Sequence, residues 1–218
     1  MGTLEIIKTN SHEEASLTLL KLLSDEFVSQ QNYSIGLSGG NTPKFLYKEL
    51  AIKYGQLNNI TLWTVDDRHV DIRNELSNQA MINDIFSQTN FKILSLKHFE
   101  DPKDSASNYT KLVFENINYF NSAVLGVGDD GHIASLFSNT NALNISEKCF
   151  IENEVNILTR WRVTSTFSLL CSIENIYLLV TGENKKNILQ ELKHNEELPI
   201  NKLIDMREKT TLLTDQII

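Results

Sequence analysis

The chain has 218 residues, 41% hydrophobic and 22% charged, with 20 Lys plus Arg against 28 Asp plus Glu and a net charge of −8. That balance suits a globular α/β unit long enough to bury its own core, so one domain over residues 1–218 is expected. It argues against nucleic-acid binding, which needs a basic footprint. No apolar run approaches the ~18 residues of a membrane span, and no basic-then-apolar leader opens the chain, so the cytoplasm is the default expectation.

In chain order, Leu4 to Ile7 reads as a strand and Ser11 to Gln30 as a helix, with Ala15, Leu19, Leu22, Leu23 and Phe27 at helical spacing. Ser34 to Leu37 is a strand. Thr42 reads as the N-cap of a helix from Pro43 to about Tyr54, because the missing N–H of Pro43 would be unpaired at a first helical position anyway. Thr61 to Val65 is extended and Ser77 to Phe86 helical. Asp104 reads as the cap of a helix reaching Asn116, with Ala106, Tyr109, Leu112 and Val113 facing inward. Strands recur at Ser122–Val127, Arg162–Ser165 and Ile176–Thr181, and Lys185 to Lys193 is helical. This alternation predicts an α/β fold with a mostly parallel, Rossmann-like sheet covered by helices on both faces. Asn139 to Glu147 reads as a loose loop, placed where a movable segment would serve a site.

Three strand ends carry chemistry. In open α/β sheets ligands bind beyond the carboxyl ends of the strands. The first segment runs Tyr33-Ser34-Ile35-Gly36-Leu37 into Ser38-Gly39-Gly40-Asn41-Thr42-Pro43. Glycines let backbone N–H groups approach a ligand, and a helix N-terminus attracts negative charge, so phosphate suits this loop. The second runs Ile60 to Val65 into Asp66-Asp67-Arg68-His69, followed by Ser77-Asn78, and Arg68 can pair bidentately with a phosphate or carboxylate. The third runs Ser122 to Val127 into Gly128-Asp129-Asp130-Gly131-His132, at the point where the chain should turn into a helix.

A histidine held there can act as a base near neutral pH. His132 is the leading candidate. Asp130 either orients its imidazole or caps the adjacent backbone. His69 is the one rival; His12 and His194 fall in exposed helical segments and His98 in a loop. Ser38 and Ser135 lack a G-x-S-x-G elbow, which favours attack by water over a covalent route. Cys149 and Cys171, 22 positions apart, read as buried free thiols. No cluster has metal-ligand spacing, so no metal is expected.

Together these segments resemble the 6-phosphogluconolactonase family, which carries a Ser-Gly-Gly-X-Thr-Pro loop, an Asp-Glu-Arg turn followed by Ser-Asn, and a Gly-X-Asp-Gly-His-X-Ala-Ser-Leu-Phe segment. Arg162-Val163-Thr164 is similar to its Arg-hydrophobic-Thr strand, Gly182 to Lys185 to its Gly-X-X-Lys turn, and Leu212 to Asp215 to its closing strand. The chain departs at Asp67, where the family has Glu, and at Asp71 and Ser138, where it has Pro; Asp129 stands at a variable position. The shorter Asp67 puts the orientation of Arg68 in question.

The resemblance implies hydrolysis of 6-phospho-D-glucono-1,5-lactone to 6-phosphogluconate with no cofactor. His132 would be the general base, assisted by Asp130, with Asp66 and Asp67 as orienting groups. Phosphate would be held by Ser38, Gly39, Gly40, Asn41 and Thr42 together with Arg68 and Lys185, and Arg162 would contact phosphate or sugar. The only partner implied is the small-molecule sugar-phosphate lactone. Two alternatives stand beside this. A glucosamine-6-phosphate deaminase would carry Asp-Glu-Tyr and Phe-Asn-Glu-Pro in the corresponding segments. The sugar-phosphate-sensing domain of a transcription regulator would need an attached DNA-binding module.

Overall fold

Alternating apolar side chains along the buried strands divide the core into two layers. In the computed structural model, which describes residues 2–192 and 194–217, the elements run β1 (Thr3–Lys8), α1 (His12–Phe27), β2 (Tyr33–Leu37), α2 (Lys44–Tyr54), β3 (Ile60–Thr64), β4 (Asp66–Arg68), α3 (Asn78–Ile85), β5 (Lys92–Leu94), α4 (Pro102–Asn116), β6 (Ser122–Leu125), β7 (Phe150–Ile157), β8 (Thr159–Ser165), α5 (Phe167–Cys171), β9 (Asn175–Leu179), α6 (Lys186–Glu191), α7 (Pro199–Met206) and β10 (Lys209–Thr214). Seven strands form one sheet in the order β1-β10-β9-β6-β2-β3-β5, with every pairing parallel. Val124, Tyr177, Leu179 and Leu213 pack with α1, α2 and α3 on one face. Their strand neighbours Ala123, Leu125, Ile176, Leu178 and Leu212 pack with α4, α5, α6 and α7 on the other. Runs apolar on both faces are what a doubly covered parallel sheet requires. The expected α/β architecture is therefore present.

A second sheet was not expected. It is antiparallel, in the order β4-β8-β7, and pairs Arg68 directly with Arg162. The strand expected at Arg162–Ser165 belongs to it, as part of β8.

Several boundaries also differ. Ser11 caps α1, its hydroxyl accepting from Glu14 N, and the helix ends at Phe27 rather than Gln30. Asp101, not Asp104, caps α4, because Pro102 supplies the first helical residue. Thr42 makes no side-chain cap bond; α2 starts at Lys44, with Pro43 in the capping position. The last predicted helix is a short 3-10 turn at Glu183–Lys185 leading into α6, and its expected end at Lys193 lies outside the described residues. The Asn139–Glu147 stretch is not wholly loose, since Asn141–Asn144 forms a 3-10 turn. Cys149 and Cys171 are free but only half-buried. Among the described residues, no helix is long and apolar enough to cross a membrane.

Candidate active site

The strand order reverses beside β2. From β2 the chain passes through α2 to β3 on one side, while β6 on its other side neighbours β9. Such a switch point opens a crevice beyond the strand ends. A cavity of about 260 Å³ lies there, lined by Ser38, Gly39, Gly40, Thr42 and Pro43 after β2, by Asp66, Arg68 and Asn78 beyond β3, by Gly126, Val127, Gly128, His132 and Ala134 after β6, and by Leu179 and Lys185 at β9. The three sequence segments therefore converge on one site. Asn41, Asp67, Asp130 and Arg162 do not line this cavity.

The first wall is a set of free donors. Ser38 N–H donates to Val124 O, but among the described residues the N–H groups of Gly39, Gly40, Asn41 and Thr42 have no acceptor. Gly40 adopts φ +90, where a side chain is strained. At Gly39 a Cβ would lie 1.8 Å from Asn78 Oδ1, so only glycine admits the asparagine. Unpaired amides at the start of the 11-residue α2 present partial positive charge.

On the wall beyond β3, Arg68 is held by Asn78 rather than by Asp67. Its Nη1 donates to Asn78 Oδ1 and to Leu76 O, both at 2.9 Å. The fully buried Asp67 carboxylate instead accepts from Ser77 Oγ and from the N–H groups of Arg68, Asn78 and Gln79, anchoring the start of α3. The shorter side chain thus orients Arg68 indirectly, by fixing Asn78. Asp66 faces the cavity while Ser135 Oγ donates to its Oδ2 at 2.5 Å. Burial pushes the Asp66 carboxyl up, opposed by the Ser135 hydrogen bond and the charge of Arg68. Arg162 is buried behind this wall, donating to Ile157 O, and burial together with the Arg68 charge lowers its pKa.

The third wall carries a histidine–aspartate pair. Instead of starting a helix, the chain after β6 folds into tight turns, with Val127 bridged to Ile133 and Ile133 to Leu136. Ala134 is forced to φ 49, a strained conformation for a residue with a Cβ. These turns bring the Asp130 carboxylate to 2.5 Å from His132 Nδ1 and 3.2 Å from its backbone N, so Asp130 takes both of the positions foreseen for it. Burial opposes ionisation of Asp130, but the hydrogen bond and charge of His132 prevail and hold its carboxyl below the ordinary value. The imidazole stacks on Phe137 with centroids 4.1 Å apart. Gly128 is required by contact: a Cβ there would lie 2.1 Å from His132 Nδ1. Lys185 Nζ reaches the same turn, donating to Val127 O at 2.8 Å and pairing with Asp129 at 2.6 Å.

The remaining histidines lie elsewhere. His69, the expected rival, bonds to Ser105 Oγ and meets the His98 ring edge-on, outside the cavity lining. His98 lies in a loop, as expected, with its Nε2 3.3 Å from Asp67 Oδ2. His12 is half-buried at the start of α1 and bonded to Thr181, while His194 is exposed in a turn. Among the described residues no group of three or more His, Cys, Asp or Glu is arranged to hold a metal ion. Asn78 and Ser135 were missed as site residues, whereas Asp129, read with Asp66, Asp67 and Asp130 as an acidic group near the site, pairs with Lys185. Asn78 had been visible beside its Ser77 cap, but its hold on Arg68 exists only once β4 folds against α3.

Comparison with known proteins places the chain in a family. The family model for glucosamine-6-phosphate isomerases and 6-phosphogluconolactonase matches residues 8–213. A 6-phosphogluconolactonase of Chlamydia pneumoniae is 31% identical over 191 residues, spanning 81% of this chain and 74% of that protein. In fold, a 6-phosphogluconolactonase of Shewanella baltica gives a TM-score of 0.84 at 20% identity, over 98% of this chain and 97% of that one. A monomeric glucosamine-6-phosphate deaminase gives 0.76 at 19% identity, over 97% of each. The chain therefore belongs to the glucosamine-6-phosphate isomerase/6-phosphogluconolactonase family.

Proposed function

We propose that this chain hydrolyses 6-phospho-D-glucono-1,5-lactone to 6-phosphogluconate, with His132 as general base. The observation that carries the reading is the contact of Asp130 with Nδ1 of His132 at the edge of a cavity that also holds Arg68 and Lys185. With its Nδ1–H donated to a carboxylate, the neutral ring keeps its lone pair on Nε2. That nitrogen takes a proton from water as the water attacks the lactone carbonyl. The proton then passes to the ring oxygen as the acyl–oxygen bond breaks. Base catalysis of this kind contributes ~10²–10⁴-fold. Asp130 also stabilises the imidazolium that forms in between.

Binding falls to the other walls. The free N–H groups from Gly39 to Thr42 and the cations Arg68 and Lys185 suit a phosphate dianion. Arg162, set behind Arg68 as its cross-strand partner and not among the residues lining the cavity, adds positive potential. The global charge of −8 makes this local concentration of cations the more necessary.

The test is to generate fresh lactone with a dehydrogenase and follow its disappearance with and without the protein. Acceleration well beyond spontaneous hydrolysis is expected. A rate equal to that background, with glucosamine 6-phosphate consumed in a parallel assay, would instead assign the chain to the isomerase side of its family.

A further inference from the structure

Among the described residues, two polar side chains of the cavity each keep an oxygen without a well-formed hydrogen bond. Ser38 is 6% exposed and, among the described residues, its Oγ makes no well-formed hydrogen bond, the Tyr47 hydroxyl beside it donating to the Ser38 C=O while the Ser38 N–H donates to Val124 O. Asp66 is 5% exposed and receives Ser135 Oγ on Oδ2, yet among the described residues Oδ1 has no donor. Both line the same cavity, at the adjacent ends of β2 and β3. Buried polar groups are normally paired, and the exceptions call for an explanation. Neither group is loose. Ser135 is itself fixed, its N–H donating to Thr164 Oγ1 and its C=O accepting from Asn153 Nδ2, so the Asp66 carboxyl is aimed rather than free to turn away.

We propose that Asp66 and Ser38 form a hydroxyl-reading subsite that binds the alcohols of a sugar-phosphate ligand, apart from the cations that bind its phosphate. An alcohol both donates and accepts, so it can donate to Asp66 Oδ1 and accept from Ser38 Oγ–H. A phosphate lacks the donor and is repelled by the carboxylate. Burial works against the charge of Asp66, and the Ser135 hydrogen bond and the Arg68 charge work to keep it. The cavity thus sorts the two ends of its ligand by charge. It selects a polyhydroxylated phosphate over an aliphatic one of equal length. The identity of that ligand rests on the proposed function, but the chemistry of the subsite does not.

Equilibrium binding without turnover tests the subsite. The probes are 6-phosphogluconate, its 2-deoxy and 3-deoxy analogues, and inorganic phosphate. Wild type should bind at least one deoxy analogue about 10–100-fold more weakly than the parent, the range of a hydrogen bond to a charged group. Asp66→Asn should shrink that discrimination to within about 3-fold, leaving inorganic phosphate bound as well as before or better. Ser38→Ala removes a hydroxyl that makes no well-formed hydrogen bond among the described residues, so it should fold normally and lose part of the same discrimination. Equal losses for parent and deoxy ligands, or none, would overturn the subsite. So would an Asp66→Asn protein that binds every ligand normally but no longer turns over, which would place Asp66 in proton transfer. Wild type that discriminates hydroxyls but hydrolyses no lactone would refute the proposed function and keep the subsite, whereas hydrolysis without discrimination would do the reverse.

Discussion

Gly128→Ala should disable the site without removing any catalytic group. The added Cβ would lie 2.1 Å from His132 Nδ1, 2.2 Å from Cε1 and 2.6 Å from Asp130 Oδ1. An ordinary contact begins near 3.4 Å, so the imidazole must withdraw by about 1 Å, and its stack on Phe137 limits where it can go. Misplacement by about 1 Å costs on the order of 10²-fold in rate. The expected outcome is a fall in kcat of about 10²-fold, with binding of 6-phosphogluconate and thermal stability close to wild type. Gly128 has no positive φ to lose, so the effect would be steric. Steady-state kinetics on freshly generated lactone, with a melting curve for each variant, read both quantities. A Gly128→Ala protein with wild-type kcat would refute the reasoning, because the Asp130–His132 geometry could then not matter to the reaction.

Other outcomes follow from the same contacts. Arg68→Ala should weaken 6-phosphogluconate binding about 10–150-fold through loss of a charge-assisted contact, while unphosphorylated gluconolactone should be little affected; equal losses on both would show that Arg68 does not read phosphate. Asp129→Asn should tighten phosphate-ligand binding about 2–5-fold by freeing Lys185 from its own anion, a small effect because Asp129 is 70% exposed; weaker binding would mean that Asp129 positions the lysine instead. Arg207, buried and donating to the carbonyls of Leu170, Ile173 and Glu174, should cost about 3 kcal/mol or more when changed to Ala, read by urea unfolding; an unchanged midpoint would show that water replaces it. Asp130 has a depressed folded pKa, so its stabilising contribution is complete above the unfolded value of about 3.9 and is lost as pH falls through the lower folded value. Urea unfolding should find the advantage of wild type over Asp130→Asn intact at about pH 5 and shrinking below about pH 4, and an advantage persisting in stronger acid would trace it elsewhere.

What the sequence made legible was the strand-end chemistry. Apolar runs such as Ser122 to Leu125 stop at glycines and carboxylates, and that break in pattern places Gly39, Arg68 and His132 at strand ends before any topology is known. The second sheet was hidden because its pairings are non-local and its strands do not look buried. Asp66–Arg68 is three charged residues, and β7 carries Glu152, Asn153 and Glu154. Its absence from the sequence reading also concealed why Asp67 suffices, since the carboxylate acts on α3 and reaches Arg68 only through Asn78. The helix expected after His132 failed for a related reason. Ile133 is buried by bridging back to Val127 and Leu136 by bridging to Ile133, turn pairings that override helical spacing. By contrast α7 could have been found, for Pro199 at its first turn and Ile200, Leu203 and Ile204 at helical spacing are ordinary signals.

The central claim is that His132 moves the proton, and its most direct test is the kcat of His132→Asn on freshly generated 6-phosphogluconolactone, set beside the Kd of that variant for 6-phosphogluconate. The account predicts a fall in kcat of ~10²–10⁴-fold with Kd changed by no more than about 3-fold. Near-wild-type turnover by a folded His132→Asn protein would contradict it.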